Sequence, residues 1–462
     1  MTKQTRRDFL TITLPAAAVA GGLAACGGGG GGSADGTDPV VPPVVPPDPV
    51  PPTPEGYKAL VAIFLFGGND AYNTLVPSEG SAYSEYAKAR LELALPQAQL
   101  LDMGSADNGV RFGAHPALTE LQALYGQNRL ALLANVGPLA APIADGKVRS
   151  AGTLLPPRLF SHNDQSDQWQ KTAAGSLESV GWAGRAADLL AQTLPGQQLP
   201  IGITYNGSNL LQVGRSQVGF SLNTSGPVEA AFLRGSLATR ALYDQLLAAP
   251  QEHLFAREYA SGQQRGQIYN ARMGSALAGA PASTVSFAND RLGQQLAAVA
   301  KLISVRASLG VKRQIFFVGL GGFDTHADQL SRHQVLLRSL SQNLDSFYRA
   351  TEAMGLAGNV TSFTVSDFGR SLTTNGDGTD HGWGSHQLIL GGAVRGGRFY
   401  GQMPDLVPRG SRDYAGGRFA PTSAVEQYGS TLLQWFGIPA AEMSAVFPNI
   451  GRFATGNLGF LG

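Results

Sequence analysis

The sequence predicts an α/β protein: a doubly wound, mostly parallel sheet with helices on both faces. Two observations carry that prediction. Short, nearly unbroken apolar runs stop at glycine or aspartate, and amphipathic helical stretches separate them. A strand buried on both faces has no polar side to present, so it reads as a continuous run and not as an alternation. Strand, helix and strand in succession imply right-handed crossovers and a sheet covered on both sides.

Taken in order, Lys58–Phe66 (KALVAIFLF) is the first strand and ends at Gly67-Gly68-Asn69-Asp70. Arg129–Val136 is the second. Arg313–Leu320 is the third and ends at Gly321-Gly322-Phe323-Asp324. Val360–Val365 is the fourth, ending at Ser366-Asp367, and Gln387–Leu390 is a further candidate. Leu292, Leu296, Val299 and Ile303 share one helical face before the third strand, and Leu337, Leu340, Leu344 and Phe347 share one after it. Residues 195–286 are less regular, and we read them as an insertion or cap.

Upstream of this body the chain has a different character. Arg6-Arg7-Asp8-Phe9-Leu10 precedes a short alanine-rich apolar stretch and resembles a twin-arginine export signal. Leu23-Ala24-Ala25-Cys26 resembles a bacterial lipobox. Acyl chains on Cys26 would anchor the protein stably, since each buried methylene contributes roughly 0.8 kcal/mol. The expectation is therefore a twin-arginine signal over 1–26, read by the twin-arginine translocase. A lipid-anchored protein at the periplasmic face of the outer membrane or the cell surface follows from it; a soluble periplasmic protein is the alternative. Residues 27–56 are a Gly- and Pro-rich linker. Its proline stretch is extended at about 3.1 Å per residue and cannot build a core.

The body, 57–462, is long enough for one large domain. The full 462-residue chain carries 34 Lys and Arg against 33 Asp and Glu, a balance that argues against bulk nucleic-acid binding. Cys26 is the only cysteine, so no disulfide is expected, in agreement with folding in a reducing cytoplasm before export.

The chemistry is expected at the strand ends. In open α/β sheets ligands gather outside the carboxyl ends of the strands, and three of the runs end in an aspartate: Asp70, Asp324 and Asp367. Three carboxylates along one edge repel one another unless cations or hydrogen bonds compensate. Asp324-Thr325-His326 places an imidazole beside a carboxylate. Asp380-His381 and His386 lie in a glycine-rich loop that can close tightly. His162, His326, His381 and His386, four of the seven histidines, fall in polar segments. As a set they favour a divalent metal site, for which zinc, manganese and calcium are candidates, over individually hydrogen-bonded structural histidines.

Two further residues have double readings. Ser161 is either a nucleophile at a helix N-terminus or, with Asp164, a capping box. Arg370 is either a clamp for an anionic substrate or a counter-charge for the aspartates around it. A phosphate-loop reading does not stand: Gly391-Gly392 and Gly396-Gly397 lack the Gly-x-Gly-x-x-Gly spacing, and no Gly-x-Ser-x-Gly elbow is present.

The segments FLFGGNDAYNTLVP, HPAL (His115–Leu118), FSHNDQSDQW, GLGGFDTHADQ and SDFGRSLTTNGDGTDHGWGSHQLILGGAVRGGRFYG resemble domain of unknown function family 1501. The resemblance spans about residue 58 to the C-terminus. It implies the fold of the alkaline phosphatase and sulfatase superfamily, with metals at the strand ends and hydrolysis of phosphate or sulfate esters. It matches Asp70 to an early metal-binding aspartate, Asp324 and His326 to a middle Asp/His pair, and Asp367 to the end of a later strand. There Phe368 stands in place of a histidine. Asp380-His381 and His386 would supply the missing imidazoles, and Ser161 would be the nucleophile. A non-catalytic lipoprotein using the same fold for binding or assembly is the alternative.

Overall fold

A computed structural model of the chain describes residues 56–172, 178–194, 196–227, 233 and 236–462. The twin-arginine motif, Cys26 and the linker up to residue 55 lie outside the described residues. No helix among the described residues is long and apolar enough to cross a membrane.

One nine-stranded sheet organises the body. Its strands are β1 (Lys58–Phe66), β2 (Leu130–Gly137), β3 (Gly202–Thr204), β4 (Phe220–Ser221), β5 (Arg313–Gly321), β6 (Val360–Ser366), β7 (Ser385–Gly391), β8 (Phe399–Tyr400) and β9 (Ser423–Ala424). Their spatial order is β8-β2-β7-β6-β1-β5-β3-β4, and β9 also pairs with β2. β1 runs parallel to β5 and β6, and β3 continues parallel to β5. Only β7 runs the other way, antiparallel to both β6 and β2. The sheet is mostly parallel, as the unbroken apolar runs require.

The two faces are built by the alternation of side chains along each strand. On β1, Ala59, Val61, Ile63 and Leu65 pack with Leu296 and Val299 of the helix Arg291–Ser304 and with Leu337, Leu340 and Leu344 of the helix Gln329–Ala353. Leu60, Ala62 and Phe64 point the opposite way. They join Trp182 of the helix Trp182–Thr193 and Leu432, Leu433 and Phe436 of the helix Val425–Phe436. Helices therefore cover both faces.

The segment 195–286 divides between the sheet and its periphery. It contributes the short edge strands β3 and β4, then two helices, Leu237–Ala248 and Leu254–Ala278. The strands were not legible because two or three residues are too few for a hydrophobic pattern.

Topology decides where the site falls. β6, β1 and β5 are adjacent and parallel, so Ser366-Asp367, Asp70 and Asp324 emerge along one edge. β2 shares their direction and delivers the chain that leads to Ser161 and His162. β7 runs in reverse, so the residues before it, including His381, begin at that same edge. A hairpin of Arg370–Thr374 and Thr379–His381 sits there, with Arg370 opposite His381. Gly369 and Gly384 let its flanks cross: a Cβ on Gly369 would collide with the Gly384 carbonyl, and one on Gly384 with Asn135.

Candidate functional site

Asp324, half-exposed at the end of β5, is the point on which the site converges. Its Oδ1 lies 3.0 Å from His326 Nε2, 3.4 Å from His381 Nε2 and 3.0 Å from Arg370 Nη1. Its Oδ2 lies 3.5 Å from His162 Nε2. One ligand atom from each of His162, Asp324 and His381 falls within 4.8 Å of the others, a spacing suited to a shared cation.

The imidazoles are held so that their inner nitrogens face Asp324. His162 opens the helix His162–Lys171, and its Nδ1 sits 2.7 Å from Asp367 Oδ2. A carboxylate accepts, so Nδ1 carries the proton, and in the neutral ring Nε2 presents its lone pair. That Nε2 is buried and has no hydrogen-bond partner. His381 Nδ1 lies 2.8 Å from the Phe160 carbonyl, which also can only accept, so its Nε2 lone pair also faces the site. Phe160, whose carbonyl meets the ring, adopts φ 70°, an uncommon conformation for an aromatic residue. His326 Nε2, 2.9 Å from His381 Nε2, then donates towards it or towards Asp324.

The electrostatics follow from these neighbours. Burial pushes the Asp324 carboxyl up, but the hydrogen bond and charge of Arg370, with His326 and His162, hold it below the usual range. The Asp367 hydrogen bond raises His162, against burial. Burial lowers His381. The negative field that favours a proton on His162 also favours a metal cation there.

The other sequence candidates occupy different surroundings. Asp70 caps the short helix Ala71–Thr74 and is fully buried. Arg90 grips both its oxygens at 2.6 and 2.9 Å, while Gln329 donates to Oδ2 at 2.5 Å. Arg370 is also fully buried and surrounded by acceptors: Asp324, the Gly67 carbonyl at 2.9 Å, Thr379 Oγ1 at 2.9 Å and the Thr379 carbonyl. Its geometry is that of a counter-charge for Asp324.

Asp367 touches the ring of His162 and the Gly67 N–H, with its Oδ1 buried and unpartnered. Asp380 lies 3.5 Å from His326 Nδ1 and accepts from Asn375. His386 is buried under the edge, accepts the Asn135 N–H at 3.0 Å and stacks edge-on with Tyr72. Burial brings its pKa down to about 4. It is not among the donors that converge on Asp324. Ser161 is the N-cap of the His162–Lys171 helix and donates to Asp164 Oδ2 at 2.6 Å.

Sequence reasoning counted His162 among the histidines favouring a metal site but gave it no role of its own, placing its weight on the adjacent Ser161. The available signal was its company: a histidine at a helix start on a loop leaving a strand of the same edge.

The family comparison agrees with the motifs. A family model described as "Protein of unknown function (DUF1501)" matches residues 57–413. The chain belongs to this family. No curated protein matches it. Among solved structures, this DUF1501 protein is similar to the soluble domain of lipooligosaccharide phosphoethanolamine transferase A from Neisseria meningitidis. That match has a TM-score of 0.36 at 8% identity and covers 86% of this chain and 94% of that one. The lipoteichoic acid synthase LtaP from Listeria monocytogenes matches with a TM-score of 0.33 at 8% identity, covering 85% and 76%. The phosphonate monoester hydrolase SpPMH from Silicibacter pomeroyi matches with a TM-score of 0.33 at 8% identity, covering 82% and 73%. Likeness at this level does not transfer an activity.

Proposed function

We propose that this DUF1501 protein is an exported, metal-dependent hydrolase of anionic esters, phosphate or sulfate. One observation carries the reading: the Asp324 carboxylate and the Nε2 atoms of His162 and His381 meet at the open edge of the sheet. Each ring is locked by an acceptor on its Nδ1. An imidazole fixed through its outer nitrogen with its inner nitrogen turned towards a carboxylate is how proteins prepare a metal ligand, and His162 Nε2 is moreover unpartnered.

The residues fit a divalent cation with mixed nitrogen and oxygen preference, so zinc and manganese suit the site better than calcium. His162, Asp324 and His381 would hold it, with His326 beside them. When bound, such an ion polarises an ester oxygen and lowers the pKa of a water. Asp367 keeps the His162 ring in its tautomer. Arg370 keeps Asp324 ionised. Ser161 Oγ is committed to Asp164, which favours water over Ser161 as the nucleophile. Export by the twin-arginine translocase and tethering through Cys26 belong to the same proposal, because cytoplasmic folding lets the cation be loaded before secretion.

The test is metal analysis of untagged protein, followed by assays with phosphate and sulfate monoesters. Bound zinc or manganese and cation-dependent turnover are expected. Protein whose melting temperature ignores zinc, manganese and calcium, and which cleaves no ester, would overturn the reading.

A further inference from the structure

Guanidinium groups commonly orient anionic esters, and the arginine the sequence first suggests is not free to do so. Arg370 is wholly buried, and Gly67, Asp324 and Thr379 accept from its guanidinium. Arg90 is equally buried and bound to Asp70. Arg158, on the rim, is paired with Asp164 at 3.2 Å and largely exposed.

Arg418 differs from all three. Its Nε donates to the backbone carbonyl of His381 at 2.7 Å, fixing the side chain against a residue of the donor cluster. Its guanidinium lies over the Phe160 ring, 5.4 Å from the centroid. Phe160 is the residue whose carbonyl orients His381. Nη1 donates to Ala415 at 3.2 Å. Nη2 makes no hydrogen bond among the described residues and has only the Asp380 carboxylate, 3.5 Å away. The side chain is a quarter exposed. It is therefore a positioned guanidinium at the site's rim with N–H groups left to donate, a geometry that matches two oxygens of a tetrahedral oxyanion.

We propose that Arg418 is the oxyanion-binding residue of this site and sets its preference for phosphate or sulfate groups. The proposal rests on the functional reading above. It concerns the anion, whereas the histidines and Asp324 concern the cation.

The experiment titrates the folded protein with inorganic phosphate and with sulfate, before and after zinc loading, by calorimetry. Variants are Arg418→Ala, Arg418→Lys and Arg158→Ala, with zinc affinity measured for each. Loss of a charge-assisted fork is expected to weaken anion binding by about ten- to a hundredfold in Arg418→Ala. Arg418→Lys should recover part of that loss, and zinc affinity should match the parent. Arg158→Ala should bind both as the parent does.

Phosphate binding that needs Arg418 in protein unable to take zinc would retain this proposal and sink the metal reading. Arg418→Ala binding both anions like the parent would overturn the proposal. So would parent protein that binds neither anion. Parallel loss of zinc and anion affinity in both Arg418 variants would also overturn it, reducing Arg418 to a support for His381.

Discussion

Asp367 and His162, 205 positions apart in sequence, meet at 2.7 Å, carboxylate Oδ2 on imidazole Nδ1. This contact fixes which nitrogen of His162 faces Asp324. Asp367→Asn keeps the shape but leaves an amide that can present its NH₂ to the ring. We expect zinc or manganese affinity to fall about 10- to 100-fold, the usual range for such an outer partner. His162→Ala should lose more. Competition against a chromogenic chelator measures both, and unchanged affinity in His162→Ala would remove that residue from the site.

Asp70 and Arg90 form a completely buried ion pair. Removing one member strands the other charge, so Arg90→Met should cost about 3–5 kcal/mol, read by urea unfolding. Asp70→Asn should also destabilise. Because the carboxylate is held by Arg90 and Gln329, the protein that does fold should carry as much metal as the parent. A drop in metal content would return Asp70 to the ligand set.

Gln329 links the two charged pairs. It donates to Asp70, accepts from Thr379 Oγ1 at 2.6 Å, and Thr379 Oγ1 in turn accepts from Arg370 Nε at 2.9 Å. Gln329→Leu leaves buried polar atoms unpartnered, each costing about 1–3 kcal/mol. We expect a lower unfolding midpoint together with weaker cation binding, since Arg370 loses its support. A midpoint equal to the parent's would show that this chain of contacts does not stabilise the fold.

Glu426 lies buried in the first turn of the helix Val425–Phe436, and burial pushes its pKa up to about 8, against Asn449, Arg185 and Arg452. The folded state thus keeps a proton that the unfolded chain releases near its ordinary pKa of 4.5. Its contribution to stability is complete below about 4.5 and is lost as pH rises through about 8. Glu426→Gln should flatten that part of the stability profile and stabilise the protein relative to the parent at alkaline pH. Denaturant titrations across this range test it; parallel profiles would rule out a titrating Glu426.

The sequence by itself determined the five long strands and the two amphipathic helices before and after the third, whereas the glycine-rich segment it read as a loop holds Asp380 and His381 in the second strand of a hairpin. The strands and helices follow from local physics: apolar runs and helical periodicity. The shared edge of Asp70, Asp324 and Asp367 was legible too, because parallel strands end on the same side. What tertiary structure alone decided was the partner of each charge. Arg90 took Asp70, Arg370 took Asp324, and His162 took Asp367. His386 was drawn beneath the edge, away from the converging donors. A carboxylate at a strand end can bind a guanidinium, an imidazole or an ion with comparable ease. Its choice depends on groups hundreds of residues away and on how much water the packed chain leaves around it, neither of which a local pattern records.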